Sequence, residues 1–597
     1  MKTRYKRGMA FALLIIVSYS FAADDPRYQR QQLCPKVLLL FNVTAAGIEK
    51  IVLTPLEEAL ICGDSGVQEW QNIPSEQTTL HLQAVLQGRG YYHVSAKEEQ
   101  KILKVYVGSL SYVNIILIKG FTSDLLLDRL MHSSAKWIGE ILTPHLLDQI
   151  QTQIQQQLWR EGYACTTFSI EANADTGTVT INIVNAEKLK ILSVTEENPI
   201  PGMSPKVMSR YHAFHLGDVF KSDLQELTTR RMVSDGIVQS ARYTVDCSGL
   251  AGDKGVVIKH HYTIGKPRLV TADLGASNEK YIFLRLNWKN VRLGAHGSSV
   301  RAGLLTSTTE QRLEAEGNWF PTTDYPRLYI RPNLNLGWER EKLYKTASQQ
   351  IKLGTGASWD FLHANLQLNA GPVFNRQLTY RGVGPQESNF LTINGFVELL
   401  GHDFEYYRAS PRDGYLLNFA TTLTHKNFLS PLSAYLFSLS GQYLYNLTSP
   451  VSLVFGVRGR FNTTHIPKLK NQQQEVPLLF RHFLGGMDDL RGFSRKQLPN
   501  DSKGALSSFF IGWEIRLTSF FYEKLQPLVF LDTGWLGKES FKLQRTLYWS
   551  PGIGFRLESP IGTFRSFASY GRISYGTRNE NEYLGKMQYY LSYGQEF

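Results

Sequence analysis

From about Pro267 to Phe597, apolar and polar residues alternate with a period of two, in segment after segment. A strand patterned this way has one oily face and one wet face. Leu284, Leu286 and Trp288 oppose Arg285, Asn287 and Lys289, and Leu313, Ala315 and Trp319 oppose Arg312, Glu314, Glu316 and Asn318. Further on, Phe437, Leu439 and Tyr443 oppose Ser438, Ser440 and Gln442, and Leu453, Phe455, Val457 and Phe461 oppose Arg458 and Arg460. An Arg or Lys on a lipid face at the bilayer midplane costs roughly 2–4 kcal/mol, so these charges belong in a lumen. Many such strands with no apolar helix between them predict a membrane β-barrel. At about 20 residues per strand, and with an even count expected, residues 266–597 give about sixteen antiparallel strands. A soluble sandwich would alternate too, but the ending Tyr589-Tyr590-Leu591-Ser592-Tyr593-Gly594-Gln595-Glu596-Phe597 favours a barrel whose last strand stops on an aromatic.

Upstream, residues 36–265 predict three similar α+β units. The middle one is clearest: a β-rich run at Tyr112–Lys119, helices at Ser123–Ile138 and Pro144–Arg160, then strands at Ala164–Glu171 and Thr178–Val184 around the turn Asp175-Thr176-Gly177. The first unit shows a helix at about Thr78–Gln87 and a strand at Lys101–Val107. The third shows strand Leu189–Thr195, helix Lys221–Asp235 ending at Gly236, and strands Ser240–Asp246 and Gly255–Thr263. A β-α-α-β-β module repeated three times is an array, not one large core. The boundaries expected are 23–108, 109–187, 188–265 for the modules and 266–597 for the barrel.

Lys2, Arg4, Lys6 and Arg7, the short apolar run Met9–Val17 and Ser20-Phe21-Ala22 read as a secretory signal over residues 1–22, which implies export. No run of eighteen apolar residues follows, against a helical membrane protein. The 30 Tyr and 32 Phe suit interfacial aromatic girdles. Four cysteines, Cys34, Cys62, Cys165 and Cys247, all precede the barrel. An even count in an oxidising compartment permits disulfides. Cys34 with Cys62 is the favoured pair, since both would lie in one module; connectivity stays open. The net charge of +12 is spread along the chain, which suits a solvated surface or attraction to anionic lipid headgroups, not nucleic acid. His260-His261 reads as surface imidazoles and Asp488-Asp489 as a solvated loop. No nucleophile elbow, phosphate loop or zinc spacing appears, so the chain is expected to be no enzyme, with no cofactor and no metal.

One connection is too long for a turn. From about Ile466 to Leu506 the chain is rich in Lys, Gln, Pro and Gly and contains Gly485-Gly486-Met487-Asp488-Asp489-Leu490-Arg491-Gly492-Phe493. In a long loop of a predicted barrel, behind three such modules, Arg491-Gly492-Phe493 resembles the surface-antigen superfamily of outer-membrane assembly factors and polypeptide transporters. There an Arg-Gly-Tyr/Phe loop tip folds back into the barrel. Gly512-Trp513-Glu514, Phe530-Leu531-Asp532-Thr533-Gly534 and Ser410-Pro411-Arg412-Asp413-Gly414-Tyr415 match family segments as well, with Ser410 where Asp is commoner. Within the superfamily the chain is most similar to the TamA branch, the outer-membrane subunits of translocation and assembly modules, which carry three polypeptide-transport-associated (POTRA) domains. Phe493 departs from the Tyr frequent in that branch.

The resemblance implies that Arg491 meets Glu514 and Asp532 in the lumen, where a buried guanidinium must be paired. It implies a TamB-like, inner-membrane-anchored partner bound through the POTRA domains, unfolded outer-membrane protein clients, and contact with outer-membrane lipids. A first strand at about Leu269–Ala276 must meet the last, about Gln588–Phe597, to close the barrel. Gly594 is expected to weaken that seam, with Phe597 ending it. Short pairing there would leave edges that open sideways and template a client strand. A dedicated two-partner secretion transporter or an envelope lipid-transport component is the alternative.

Overall fold

The computed structural model describes residues 27–42, 50–120, 124–184, 186–248, 255–407, 411–447, 453–467, 476–501, 503–518, 524–559, 562–574 and 587–594. The signal segment therefore lies outside them. The chain forms two compact units, 1–188 and 189–597.

The first unit holds two modules. In the first, β1 (Tyr28–Cys34), β2 (Val37–Asn42), β3 (Ser95–Glu99) and β4 (Ile102–Tyr106) form a sheet in the order β1-β2-β4-β3, with helices α1 (Pro55–Cys62) and α2 (Ser75–Gln87). Helix α1 is only eight residues long, too short for its periodicity to show in sequence. Its start is nevertheless well specified. The Thr54 hydroxyl accepts from the Glu57 amide, and the Glu57 carboxylate accepts from the Thr54 amide at 2.7 Å, with Pro55 in the first turn. A Cys34–Cys62 disulfide ties the end of β1 to the end of α1.

In the second module, β5 (Ile115–Lys119), α3 (Asp124–Ser134), α4 (Pro144–Arg160), β6 (Thr167–Asn173) and β7 (Thr178–Val184) follow in chain order, and the sheet runs β5-β7-β6. Leu146, Ile150, Ile154 and Leu158 of α4 recur every three or four residues and bury one face against Val179, Ile181 and Ile183 of β7. Leu147 is only partly buried.

The second unit begins with a third module: β8 (Lys190–Glu196), α5 (Ser222–Asp235), β9 (Ser240–Asp246) and β10 (Gly255–Thr263), in sheet order β8-β10-β9. A seven-residue 3-10 helix, Pro205–Tyr211, stands where the other modules have their first helix. Helix α5 ends at Gly236, whose φ of +77° is left-handed. One expectation is corrected here. His260 is not a surface imidazole: along β10 it follows Val256 and Ile258 in the inward row and is fully buried, its ring 5.8 Å from that of His212. Alternation placed it inside, where the residue type alone suggested the surface.

Residues from Arg268 onward form a closed antiparallel barrel of sixteen strands, the first Arg268–Ser277 and the last Met587–Gly594. The fifteenth is broken at Gly571 into Gly562–Tyr570 and Arg572–Ser574. Leu286, Trp288, Leu334, Leu336, Ile351 and Leu353 face outward as an apolar band, while Arg301 pairs inward with Glu314 and Glu316. No helix among the described residues is long and apolar enough to cross a membrane, which a strand-built barrel does not need.

The third module is fastened to the barrel mouth by a buried ion cluster. Arg231 of α5 donates two hydrogen bonds to Asp360, at 2.8 and 3.0 Å, and two to Glu405, at 2.6 and 2.8 Å. Arg327 and His402 also bond to Asp360.

Candidate functional site: the lumenal loop and the barrel seam

The chain between strands Leu453–His465 and Ser507–Leu517 turns inward. Two glycines let it double back. Gly485 and Gly486 have φ of +113° and +117°, and a Cβ on Gly485 would lie 2.3 Å from the Ser494 carbonyl oxygen. Asp489 fixes the turn: its Oδ1 accepts from the amides of Gly485 (2.6 Å) and Leu490 (2.8 Å), and its other oxygen pairs with Arg460. Asp489 is therefore buried, contrary to its reading as a solvated loop residue. Leu484, Leu490, Phe493 and Leu498 then pack on Phe510, Leu536 and Tyr548 of the barrel wall.

The sequence-predicted Arg491, Glu514 and Asp532 are brought together. Arg491 donates from Nε and Nη2 to the two oxygens of Asp532, at 2.8 and 2.9 Å, and from Nη1 to Glu514 at 2.8 Å. The guanidinium lies 3.4 Å over the Phe530 ring, which shares the inward face of the strand with Asp532 two residues on. Arg491 is 2% exposed and Asp532 fully buried, so the charge-assisted pairing offsets a large desolvation cost. Glu514 is held from its other side by Arg516, whose Nη1 also reaches the Pro411 carbonyl. The motif residue Ser410 lies outside the described residues. Gly492 has its own reason to be glycine: a Cβ there would lie 2.5 Å from Gly571 Cα, where the fifteenth strand breaks.

The barrel closes at a short seam. The first strand pairs with its neighbour Tyr281–Leu293 through Arg268↔Asn290 to Ser277↔Tyr281, ten residue pairs. With the last strand it shares only Ala276↔Tyr593 and Ser277↔Ser592 among the described residues.

The model of the Omp85 superfamily domain matches residues 288–597. The chain belongs to the Omp85 superfamily. No curated protein sequence matches it. Among solved structures it is similar to BamA from Haemophilus ducreyi lacking POTRA domains 1-3 (TM-score 0.48, 15% identity, 82% of this chain and 100% of that one). It is similar also to CdiB from Acinetobacter baumannii (0.45, 12%, 81% and 89%) and to CdiB from Escherichia coli (0.46, 12%, 92% and 100%).

Two parts of this Omp85 site had little sequence signal. The loop has a second anchor on the opposite wall: Arg495 pairs with Glu341 at 2.9 Å, and Lys496 with Glu339 and, at 2.7 Å, the Tyr344 hydroxyl. The clue was Glu339 and Glu341 at a strand end facing the Arg495-Lys496 pair, with Lys496 157 residues on from Glu339, legible only once the loop is known to fold in. At the seam, the predicted Gly594 pairs with Thr563 of the preceding strand, not with the first strand, and Phe597 lies outside the described residues. The glycine that lies at the closure is Gly275. A Cβ there would stand 2.1 Å from Phe283 Cζ and 2.6 Å from the Tyr593 carbonyl oxygen.

Proposed function

We propose that this Omp85 protein is an outer-membrane assembly factor of a Gram-negative bacterium. It inserts or translocates β-barrel proteins such as autotransporters through the seam between its first and last barrel strands. The observation that carries the reading is the contrast, among the described residues, between ten residue pairs on one side of the first strand and two on the other. A net backbone hydrogen bond contributes about 0.5–1.5 kcal/mol, so so short a joint separates at a fraction of the cost of parting any other neighbours. The exposed edges can then pair with a client strand without bringing unsatisfied backbone through lipid. The POTRA-like modules lie in the periplasm, present sheet edges to a TamB-like partner and to unfolded clients, and the work requires no bond chemistry, cofactor or metal.

The test is a reversible lock. Cysteines at the register partners 276 and 593, oxidised to a disulfide in proteoliposomes, should abolish client insertion, and reductant should restore it. Full insertion by the locked protein would overturn the proposal. A transporter that passes one dedicated polypeptide through its lumen would work equally well locked and unlocked.

A further inference from the structure

The seam is short, yet the lumenal loop touches both of its sides. In the turn that follows the first strand, Glu279 accepts a hydrogen bond from the Met487 amide at 3.0 Å. Gly486 is close as well: a Cβ there would meet the same Glu279 oxygen at 2.9 Å, so the loop backbone lies against this carboxylate. On the last strand, the Tyr590 hydroxyl donates to the Phe493 carbonyl at 2.7 Å. Tyr590 is 2% exposed and packs with Phe530 and Phe567, with Met487 against the same cluster. Met487 and Phe493 lie on either side of Arg491, which fixes that stretch of loop to Asp532 and Glu514. A stretch of seven residues thus joins the two strands from inside, beside two register pairs and the bonds that the Asn278 amide and side chain donate to the Leu591 and Tyr589 carbonyls.

We infer that the loop tip is a staple across the seam, with Glu279 and Tyr590 as its two points of attachment, and that loosening either one opens the joint. This rests on the seam being the working part of the molecule, and it assigns positioning roles to two side chains outside the Arg-Gly-Phe motif. A bridge has a property that two separate stabilising contacts lack. Cutting one end removes the whole constraint, so cutting the second adds little.

The measurement is the rate of disulfide formation between cysteines at 276 and 593 in the purified full-length chain, with no client present. Tyr590→Phe removes only the hydroxyl, and Glu279→Ala removes the acceptor. Each should lower the closed-to-open ratio roughly five- to tenfold, the change expected for one buried hydrogen bond. The double variant should fall no further than about twofold beyond either single one. Glu279→Gln, which keeps an acceptor oxygen, should restore closure, and Tyr589→Phe, whose ring points outward, should leave it unchanged. Multiplicative losses in the double variant, or crosslinking unaffected by Tyr590→Phe and Glu279→Ala, would overturn the staple. If Tyr590→Phe fails to fold, the Glu279→Ala and Glu279→Gln pair decides alone. Because no client enters the assay, a seam that responds as described in a protein that inserts nothing would sink the assembly reading and leave the staple standing.

Discussion

Replacing Arg491 with Ala removes a cation that is 2% exposed and strips Asp532, fully buried, of its bidentate partner. Three charge-assisted hydrogen bonds go, together with the stacking over Phe530. Breaking one partner out of a buried ion pair typically costs about 3–5 kcal/mol, because the remaining charge is left buried and uncompensated. Two features bound the loss here. Glu514 keeps Arg516 at 2.5 Å, and Arg458 stands 3.5 Å from Asp532, so neither carboxylate is wholly orphaned. The barrel can also relieve the cost by letting the loop tip leave and water enter. The expected outcome is therefore release of the loop at a cost of about 3 kcal/mol, at the low end of that range, with the strands still paired. Limited proteolysis of the loop in detergent-solubilised protein reads the release, and the heat-dependent shift in electrophoretic mobility reads the barrel. Asp532→Ala should release the loop to a similar degree, and the double variant should fall well short of the sum of the two, since one interaction is being removed twice. A protease-resistant loop in Arg491→Ala, or strictly additive losses, would refute the reasoning.

Three further outcomes follow from the same geometry. Gly492→Ala should release the loop as Arg491→Ala does, because its Cβ meets Gly571 at 2.5 Å and neither backbone can retreat; unchanged proteolysis would refute this. Arg231→Ala should leave Asp360 and Glu405 facing each other without their shared cation, destabilise the docking of α5 by about 3–5 kcal/mol, and raise hydrogen exchange in α5 while sparing β5–β7 of the first unit. Acid should loosen the third module. Burial holds His212 down to about 3 and His260 down to about 4, so the unfolded chain takes up protons at pH 6.5 that the folded module refuses, and stability falls as pH drops from 6.5 toward 4. Glu196, raised to about 7 by burial, acts the other way, since the folded state holds its proton and loses stability between about pH 4.5 and 7. Two histidines outweigh one carboxyl between pH 4.5 and 6.5. Hydrogen exchange of residues 190–263 in the full chain should therefore be faster at pH 5 than at pH 6.5, and the acid effect should shrink in His260→Gln.

What was legible in the sequence follows from how local each signal is. Alternation along Leu284–Lys289 or Leu453–Phe461 is a property of neighbouring residues, so it predicts strands, faces and a count close to sixteen. Helix α4 was equally readable, because Leu146, Leu147, Ile150, Ile154 and Leu158 recur at helical spacing within Pro144–Arg160. The loop bounds, Ile466 to Leu506, are the gap between strand ends His465 and Ser507. Helix α1 was not readable, because eight residues with a small apolar face carry almost no period. The meeting of Arg491 with Asp532, 41 positions away, came from resemblance to a family, and no local pattern could have supplied it. Gly275 illustrates the harder case. Its Cβ is excluded by Phe283 across one strand pair and by Tyr593 across the barrel closure, and the second contact exists only once the ends of the cylinder have met.

The distribution of strong and weak contacts has a mechanical consequence. Interior neighbours in the barrel are joined by seven or more residue pairs, as in Glu310↔Glu339 to Glu316↔Asn333, so thermal separation of any of them is far costlier than separation at the closure. The loop is held on one wall by Arg491 and on the opposite wall by Arg495 and Lys496, both through ion pairs inside the lumen. A loop fixed to two walls cannot follow the last strand outward. If the seam opens, the Tyr590–Phe493 hydrogen bond must break or Glu279 must release Met487, while the Arg491 and Arg495 anchors stay in place. On the proposed function, opening is then confined to the joint with the fewest residue pairs among the described residues, and the rest of the cylinder serves as the frame against which a client strand would be ordered.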